Sequence, residues 1–305
     1  MQSLITIVGP TAVGKSNLAM YTAKHFPVEI VNADSRQIYR YMNIGTSKPT
    51  PDEQQRVPHH LIDLINPDQN FNLAMYHRLA IEHINSIQEN GRIPILVGGS
   101  GLYVWSTLEG WAIPHVAPDY TLRRELELFA EQEGSTALHQ KLEQIDSMAA
   151  SKIHPRNVRR IIRALEIYYG TGKQPSGLRH KQAPEFSSLI IGLTAERNEL
   201  YSRIDQRVGK MVEQGLVEEV KNLSEMGYNS SLPSMSSIGY NQIYQFLQGQ
   251  LTFSTALEKI KNETHRLARH QYAWFQLKDE RIHWLDTGSN DIKKKAIELI
   301  TRYIP

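Results

Sequence analysis

Over its first third the chain alternates two rhythms of apolar and polar positions. The short runs "LITIVG", "VEIVNAD", "HHLIDLI" and "IPILVGG" are rich in β-branched residues and read as strands. Between them, "NLAMYTAKHF" and "LAMYHRLAIEHINSIQ" space their apolar residues as helices do. Apolar strands separated by amphipathic helices predict an α/β fold, a parallel sheet flanked by helices. After "GGSGLYVWSTLEG" the rhythm changes. "PHVAP" interrupts the chain, and roughly seventy residues of mainly helical periodicity follow without a strong strand. Strand character returns at "SSLIIGLT", Ser187 to Thr194. A mainly helical domain over residues 112–185, inserted between two core strands, explains this better than a second independent domain. The core is then 1–111 and 186–305. Its C-terminal part is helical through "RIDQRVGKMVEQGLVEEVKNL" and "LEKIKNETHRLARHQYAWFQ", and closes with a short strand at "IHWLD" and a final helix.

The turn between the first strand and the first helix reads "GPTAVGKS". Gly9, Gly14, Lys15 and Ser16 fit G-x-x-x-x-G-K-[ST], which makes the sheet P-loop-type. In such a loop the glycines let successive N–H groups of Gly9, Pro10, Thr11, Ala12, Val13 and Gly14 (Pro10 excepted, having none) converge on phosphate, and the following helix adds its positive end. Lys15 is placed for the outer phosphate oxygens and the Ser16 hydroxyl for Mg²⁺. The loop recognises a chain of phosphates, so ATP does not follow from it.

Composition narrows the setting. The 305 residues are 40% apolar and 22% charged, ordinary for a globular protein, with no cysteine. Disulfides, thiol catalysis and cysteine-ligated zinc are excluded, and a reducing cytoplasm is the expected location. No apolar run is long enough to span a bilayer, and strand character beginning near Met1 leaves no room for a signal peptide. The net charge is only +2, but its distribution is uneven. Between Ser151 and Gln182 lie eight basic residues, Lys152, Arg156, Arg159, Arg160, Arg163, Lys173, Arg179 and Lys181, against the single acid Glu166. Such asymmetry points to a polyanionic partner.

Four groups of residues are candidates for chemistry. "NADSRQIY" sets Asp34 at the carboxyl end of the second strand, the edge where ligands collect in an open parallel sheet. Asp34 there is either a general base or the cap of the following turn, with Ser35, Arg36 and Gln37 as polar neighbours. "VGGSGLY" ends another strand, and Ser100 either donates to a phosphate ester oxygen or merely belongs to a strand-to-helix turn. "RNVRRIIRALE" spaces Arg156, Arg159, Arg160 and Arg163 along one helical stripe that holds no acid, while Ile161, Ile162 and Leu165 supply packing surface. An RNA surface is the favoured reading and a solvated face the alternative. Arg203 and Arg207, one helical turn apart, either clamp a diphosphate or pair with Asp205 and neighbouring glutamates. There is no Cys/His cluster for a metal, and no second strand-end Asp of the kind that holds Mg²⁺ in ATP-hydrolysing switches.

In this order, "GPTAVGKS", "DSRQIY", "IGTSKP", "PHHLID", "GGSGLY", the D-x-x-x-R of Asp119 and Arg123, "HPRNVRRIIRALE", "RIDQRVGKMVEQGLVEEV", "SIGY" and "THRLARHQYAWF" resemble the tRNA dimethylallyltransferases, also called tRNA isopentenyltransferases. The resemblance runs over nearly the whole chain. It implies that the loop from Gly9 to Ser16 holds dimethylallyl diphosphate with Mg²⁺, and that the enzyme alkylates the exocyclic N6 of an adenosine beside the anticodon. By the same resemblance Asp34 is the base, Lys15, Ser100 and Arg207 assist the leaving diphosphate, and Asp34, Ser35, Arg36, Gln37, Ser100, Arg123 and the segment Arg159, Arg160, Ile161, Ile162, Arg163 meet tRNA. The expected partners are the tRNA anticodon stem-loop and dimethylallyl diphosphate, with no membrane, and the chain is expected to act as a monomer. Ser100 stands where the family usually has Thr, His265, His270 and Ala273 where Arg, Arg and Thr are common, and Arg156 and Asn157 replace the usual Asn-Asp.

An aryl amine is a weak nucleophile, so a base must accept its proton as the bond forms, and the adenine must leave its stack to be reached. The helical insertion is expected to hold the anticodon stem and the core to receive the base. Three rival readings remain: a P-loop small-molecule kinase, an RNA-binding nucleotide switch, and an isopentenyltransferase acting on free adenine nucleotide. The insertion and its arginines favour tRNA over the last.

Overall fold

The computed structural model describes residues 2–114, 116–178, 181 and 186–304. Arg179 of the basic stretch and the expected domain boundary at residue 185 lie outside the described residues. The chain forms two compact units, Met1–Leu108 with Pro184–Pro305, and Glu109–Ala183.

The first unit is built on β1 (Gln2–Val8), β2 (Val28–Asn32), β3 (His59–His60), β4 (Ile93–Val97), β5 (Phe186–Thr194) and β6 (Ile282–Asp286). Among the described residues these make one six-stranded sheet in the order β3-β2-β4-β1-β5-β6, with every pairing parallel. Its helices are α1 (Lys15–Thr22), α2 (Pro51–Arg56), α3 (Leu73–Glu89) and α4 (Gly101–Leu108) before the insertion. The second unit is helical: α5 (Tyr120–Glu133), α6 (Ser135–Ile145), α7 (Ser147–Ser151), α8 (Val158–Thr171) and α9 (Pro175–Leu178). The first unit resumes with α10 (Arg197–Glu213), α11 (Leu216–Glu225), α12 (Tyr240–Leu247), α13 (Phe253–Trp274) and α14 (Ile292–Tyr303).

The central strands carry apolar residues on both faces because helices cover both. Ile5 and Ile7 of β1, Ile95 of β4 and Ile191 of β5 are fully buried in one core, each burial worth about 1.5–3 kcal/mol. A second core joins Met42, Val208, Leu216, Val220, Met235, Tyr240 and Ile243. In the insertion, Leu126, Leu138, Leu142, Ile161, Ile162 and Leu165 form a core of their own.

Two expected elements differ. "HHLIDLI" pairs as a strand only at His59 and His60, because Leu61 (φ 63) and Asp63 (φ 52) turn left-handed and take the chain off the sheet. The run from Arg203 to Leu223 is two helices, parted at Gly215, whose φ of 100° favours glycine. Since β2, β4 and β1 are parallel neighbours, the turns after them leave the sheet at one edge. Those turns hold Asp34, Ser100 and the phosphate loop.

Candidate active site

The phosphate loop is shaped by its glycines. Gly9 has φ 140° and a Cβ there would run into the Leu193 carbonyl, while Gly14, the residue before α1, has φ 104°. Lys15 Nζ folds over the loop and donates to the carbonyls of Gly9 (3.0 Å) and Pro10 (2.8 Å). Burial lowers the Lys15 pKa to about 8, with Asp34 opposing that shift and Arg207 adding to it. Ser16 stands exposed in the first turn of α1.

One expectation for the loop needs correction. The Thr11 N–H is not among the free donors: it gives its hydrogen to Gln271 Oε1 at 2.7 Å. Gln271 Nε2 in turn donates to the Gly99 carbonyl at 3.1 Å. One buried amide on α13 therefore ties the loop after β1 to the loop after β4. Gly99 must be glycine for this, since a Cβ would overlap the Gln271 amide.

Asp34 satisfies part of each reading left open for it. Oδ1 accepts from the Arg36 N–H at 2.9 Å and so caps the turn. Among the described residues no hydrogen bond engages Oδ2. The turn is held beneath by Asn32, whose Oδ1 accepts the Asp34 N–H at 2.9 Å and whose Nδ2 donates to the Asp34 and Leu61 carbonyls. Ser100 Oγ accepts from the Ser35 N–H at 3.0 Å and lies 3.3 Å from Ser35 Oγ, so it steadies the Asp34 turn. Arg36 donates to the Pro233 carbonyl, and Gln37 Nε2 to the carbonyls of Thr46 and Ser47, both at 3.1 Å.

The two arginines of α10 part company. Arg203 pairs with Glu199 at 2.5 Å and donates to Thr287 Oγ1 at 2.8 Å. Arg207 instead donates to two hydroxyls, Ser47 Oγ (2.8 Å) and Thr11 Oγ1 (3.2 Å), and burial lowers its pKa while Asp34 acts to raise it. Among the described residues no carboxylate pairs with it, so its charge is not neutralised by an ion pair.

The insertion corrects the arginine stripe. Glu166 is 1% exposed and lies one turn beyond Arg163, so the stripe does hold an acid. Its carboxylate accepts both arms of Arg123 (2.8 and 2.9 Å), a hydrogen bond from Arg163, and the Asp119 N–H at 2.8 Å. Burial alone would raise the Glu166 pKa, but these hydrogen bonds outweigh it and hold the carboxyl below its ordinary value. Arg123 and Arg163 are thus clasped, while Arg159 and Arg160 are exposed. Arg156 precedes the helix, which begins at Val158 after the Asn157 cap. Ile161 and Ile162, expected at the tRNA contact, are 0% and 5% exposed and belong to the core, so their side chains are removed from any RNA surface.

Local pattern missed Gln271 and Ser47, because they act on residues 160 or more positions away. Both fall inside the segments "THRLARHQYAWF" and "IGTSKP" of the family resemblance, the only signal for them in the sequence. Of the residues that depart from the family pattern, His265 stacks on Tyr201 at 4.0 Å between ring centroids, with Nε2 2.9 Å from Asp205 Oδ1. His270 and Ala273 are exposed.

A family model described as IPP transferase matches residues 37–278. The chain belongs to the IPP transferase family. The tRNA dimethylallyltransferase of Dehalococcoides mccartyi is 48% identical over 99% of this chain and 92% of its own length. That of Roseiflexus sp. is 46% identical over 100% and 99%. These alignments include the phosphate loop, which precedes the matched span. Among solved structures, the tRNA isopentenylpyrophosphate transferase of Bacillus halodurans superposes with a TM-score of 0.72 at 39% identity, covering 99% of this chain and 98% of that one. A eukaryotic dimethylallyltransferase described as acting on tRNA gives a TM-score of 0.83 at 27% identity, covering 100% and 81%. These solved structures thus share the fold of this chain.

Proposed function

We propose that this protein transfers a dimethylallyl group from dimethylallyl diphosphate to N6 of an adenosine beside the anticodon of tRNA, releasing diphosphate. The observation that carries the reading is the meeting, at one sheet edge, of two cations without carboxylate partners among the described residues, Lys15 and Arg207, with the Asp34 carboxylate on the turn after β2. The cations suit a leaving diphosphate, whose oxygens gain charge as the allylic C–O bond breaks. Asp34, with Oδ2 open, suits the proton that N6 loses as the N–C bond forms. Ser100 acts through Ser35 to hold that turn.

A divalent cation fits the same loop. A lone exposed hydroxyl, Ser16, at the start of α1 matches the way Mg²⁺ binds, through one or two protein oxygens plus substrate phosphates and water. Bound there, Mg²⁺ supplies further charge neutralisation to the diphosphate. The exposed Arg159 and Arg160 fit the phosphates of the anticodon stem, while clasped Arg123 and Arg163 offer RNA only the donors that Glu166 and the Val116 carbonyl leave open.

The test is incubation of the purified chain with dimethylallyl diphosphate and unmodified tRNA, followed by mass analysis of the nucleosides. The expected product is an adenosine carrying one dimethylallyl group; ATP consumption with a small acceptor instead would sink the reading. In single-turnover runs, Asp34→Asn is expected to slow the chemistry by at least ~10²-fold, the usual worth of a positioned base. A folded Asp34→Asn variant with near-normal rate removes Asp34 from the mechanism.

A further inference from the structure

We infer that Glu219, on α11, is a positioning residue for the diphosphate site, acting through Ser47 on Arg207. The inference rests on the reading of the phosphate loop given above. Among the described residues of the core, Glu219 carries the densest set of hydrogen bonds onto any carboxylate. Oε2 accepts from the N–H groups of Asn43 and Ile44, both at 2.9 Å. Oε1 accepts from Ile44 (3.1 Å), Gly45 (3.3 Å) and the Tyr240 hydroxyl (2.6 Å). Three successive backbone N–H groups converging on one anion form a nest, the arrangement loops otherwise use for phosphate or sulfate. Here the anion is a side chain of the protein itself. The fit is tight, because a Cβ on Gly45 would enter the Tyr240 ring.

The same loop is pinned from its other end. Lys48, whose side chain is 2% exposed, donates to the Tyr39 carbonyl (2.7 Å), Asn43 Oδ1 (2.8 Å) and Asp63 Oδ1 (2.6 Å). Between the two anchors Ser47 is held at φ 49°, a left-handed conformation that a non-glycine residue adopts at a cost. The loop presents three groups to the site. Ser47 Oγ accepts from Arg207 Nε, and the Thr46 and Ser47 carbonyls accept from Gln37. Arg207 reaches the phosphate loop with its other arm, at Thr11 Oγ1. Holding a guanidinium with two neutral hydroxyls orients it without neutralising it. Glu219 therefore acts on the anion site without touching it: it fixes the loop, the loop fixes Ser47, and Ser47 aims Arg207.

Glu219→Gln tests this, because it preserves shape but turns an NH₂ group toward N–H donors. The probe is inorganic diphosphate, titrated calorimetrically into the full chain, with thermal melts as the folding control. Glu219→Gln and Ser47→Ala are each expected to weaken diphosphate binding about tenfold, the order of one charge-assisted hydrogen bond. Their double variant is expected to be no weaker than Ser47→Ala alone, while tRNA binding stays at the wild-type level. Should Glu219→Gln fail to fold, Tyr240→Phe withdraws a single donor and is expected to weaken diphosphate about twofold, and only when Ser47 is present. Unchanged diphosphate affinity in the folded variant, or losses that multiply in the double variant, overturns the inference while leaving the phosphate-loop reading intact. A wild-type chain that does not bind diphosphate overturns that reading and the inference with it.

Discussion

Replacing Gln271 by Met removes one amide and keeps nearly the same volume. The wild-type amide makes two hydrogen bonds, from the Thr11 N–H at 2.7 Å and to the Gly99 carbonyl at 3.1 Å. Each such bond contributes about 0.5–1.5 kcal/mol net, and a buried group left without a partner costs about 1–3 kcal/mol. The Gly99 carbonyl lies in the buried part of this contact and Thr11 is only partly covered, so water reaches the second group more readily than the first. Together the loss is expected to be about 2–4 kcal/mol. Urea unfolding followed by tryptophan fluorescence reads this directly, because Trp105, Trp274 and Trp284 all lie in the same unit as Gln271. A freed phosphate loop must also be ordered again when it binds, so affinity for inorganic diphosphate is expected to fall about tenfold, the equivalent of 1.4 kcal/mol. The two readouts guard each other. A variant that is destabilised but binds diphosphate normally would make Gln271 a core residue only. A variant within 0.5 kcal/mol of wild type, with unchanged binding, would refute the accounting of both hydrogen bonds.

Three further outcomes follow from the geometry. Lys15, lowered to a pKa of about 8, is charged below that pH and neutral above it, so metal-free diphosphate affinity is expected to hold below pH 8 and fall above it; calorimetry on Lys15→Arg, whose charge persists, should lose that inflection, and an unaltered profile would remove Lys15 from the anion site. Replacing the exposed Arg159 and Arg160 by Ala is expected to weaken tRNA binding and lower the slope of log K against log salt by up to about 2, roughly one unit for each lost phosphate contact; an unchanged slope returns both to plain solvent-exposed residues. Glu166, held below the ordinary carboxyl value of 4.5, lends stability that is complete above that value and is lost as pH falls through its lowered pKa. Glu166→Gln is expected to cost the insertion about 2–4 kcal/mol at neutral pH and to flatten its acid unfolding, read by circular dichroism.

The core was legible because its signals are local. β-branched runs ending in "GPTAVGKS", "NADS" and "GGSG" mark three strand ends, and a parallel sheet carries all three to one edge. The β3 segment misled because apolar content in "HHLIDLI" is satisfied off the sheet, where left-handed Leu61 and Asp63 redirect the chain. Helical periodicity through Gly215 misled in the same way: spacing persists across a break that only the backbone angle at one glycine decides. In the site, Asp34 and Lys15 were visible from their motifs. Ser47, Gln271 and Glu219 were not, because their partners lie 160 to 260 residues away in the chain, or in a loop whose N–H groups carry no sequence signature.

The arginines show why residue type alone could not sort the site. Offsets of three and four place Arg159, Arg160 and Arg163 on one stripe, yet their surroundings differ. At the Arg163 end of the stripe a carboxylate, Glu166, is taken out of water at 1% exposure. A charge buried so deeply requires partners, and it takes Arg163 along with Arg123 from α5 and the Asp119 N–H. Those two arginines are spent largely within the insertion, whereas Arg159 and Arg160 remain for solvent or a polyanion. In the core the situation is reversed. Lys15 and Arg207 are held by carbonyls and hydroxyls, and burial lowers the pKa of both. Cations that are desolvated without an ion-pair partner gain most from an incoming anion, because it supplies the compensation the fold withholds. The acid in the insertion completes its cluster within the fold; the cations of the core, held by neutral oxygens, leave room for the anion that the proposed reaction supplies.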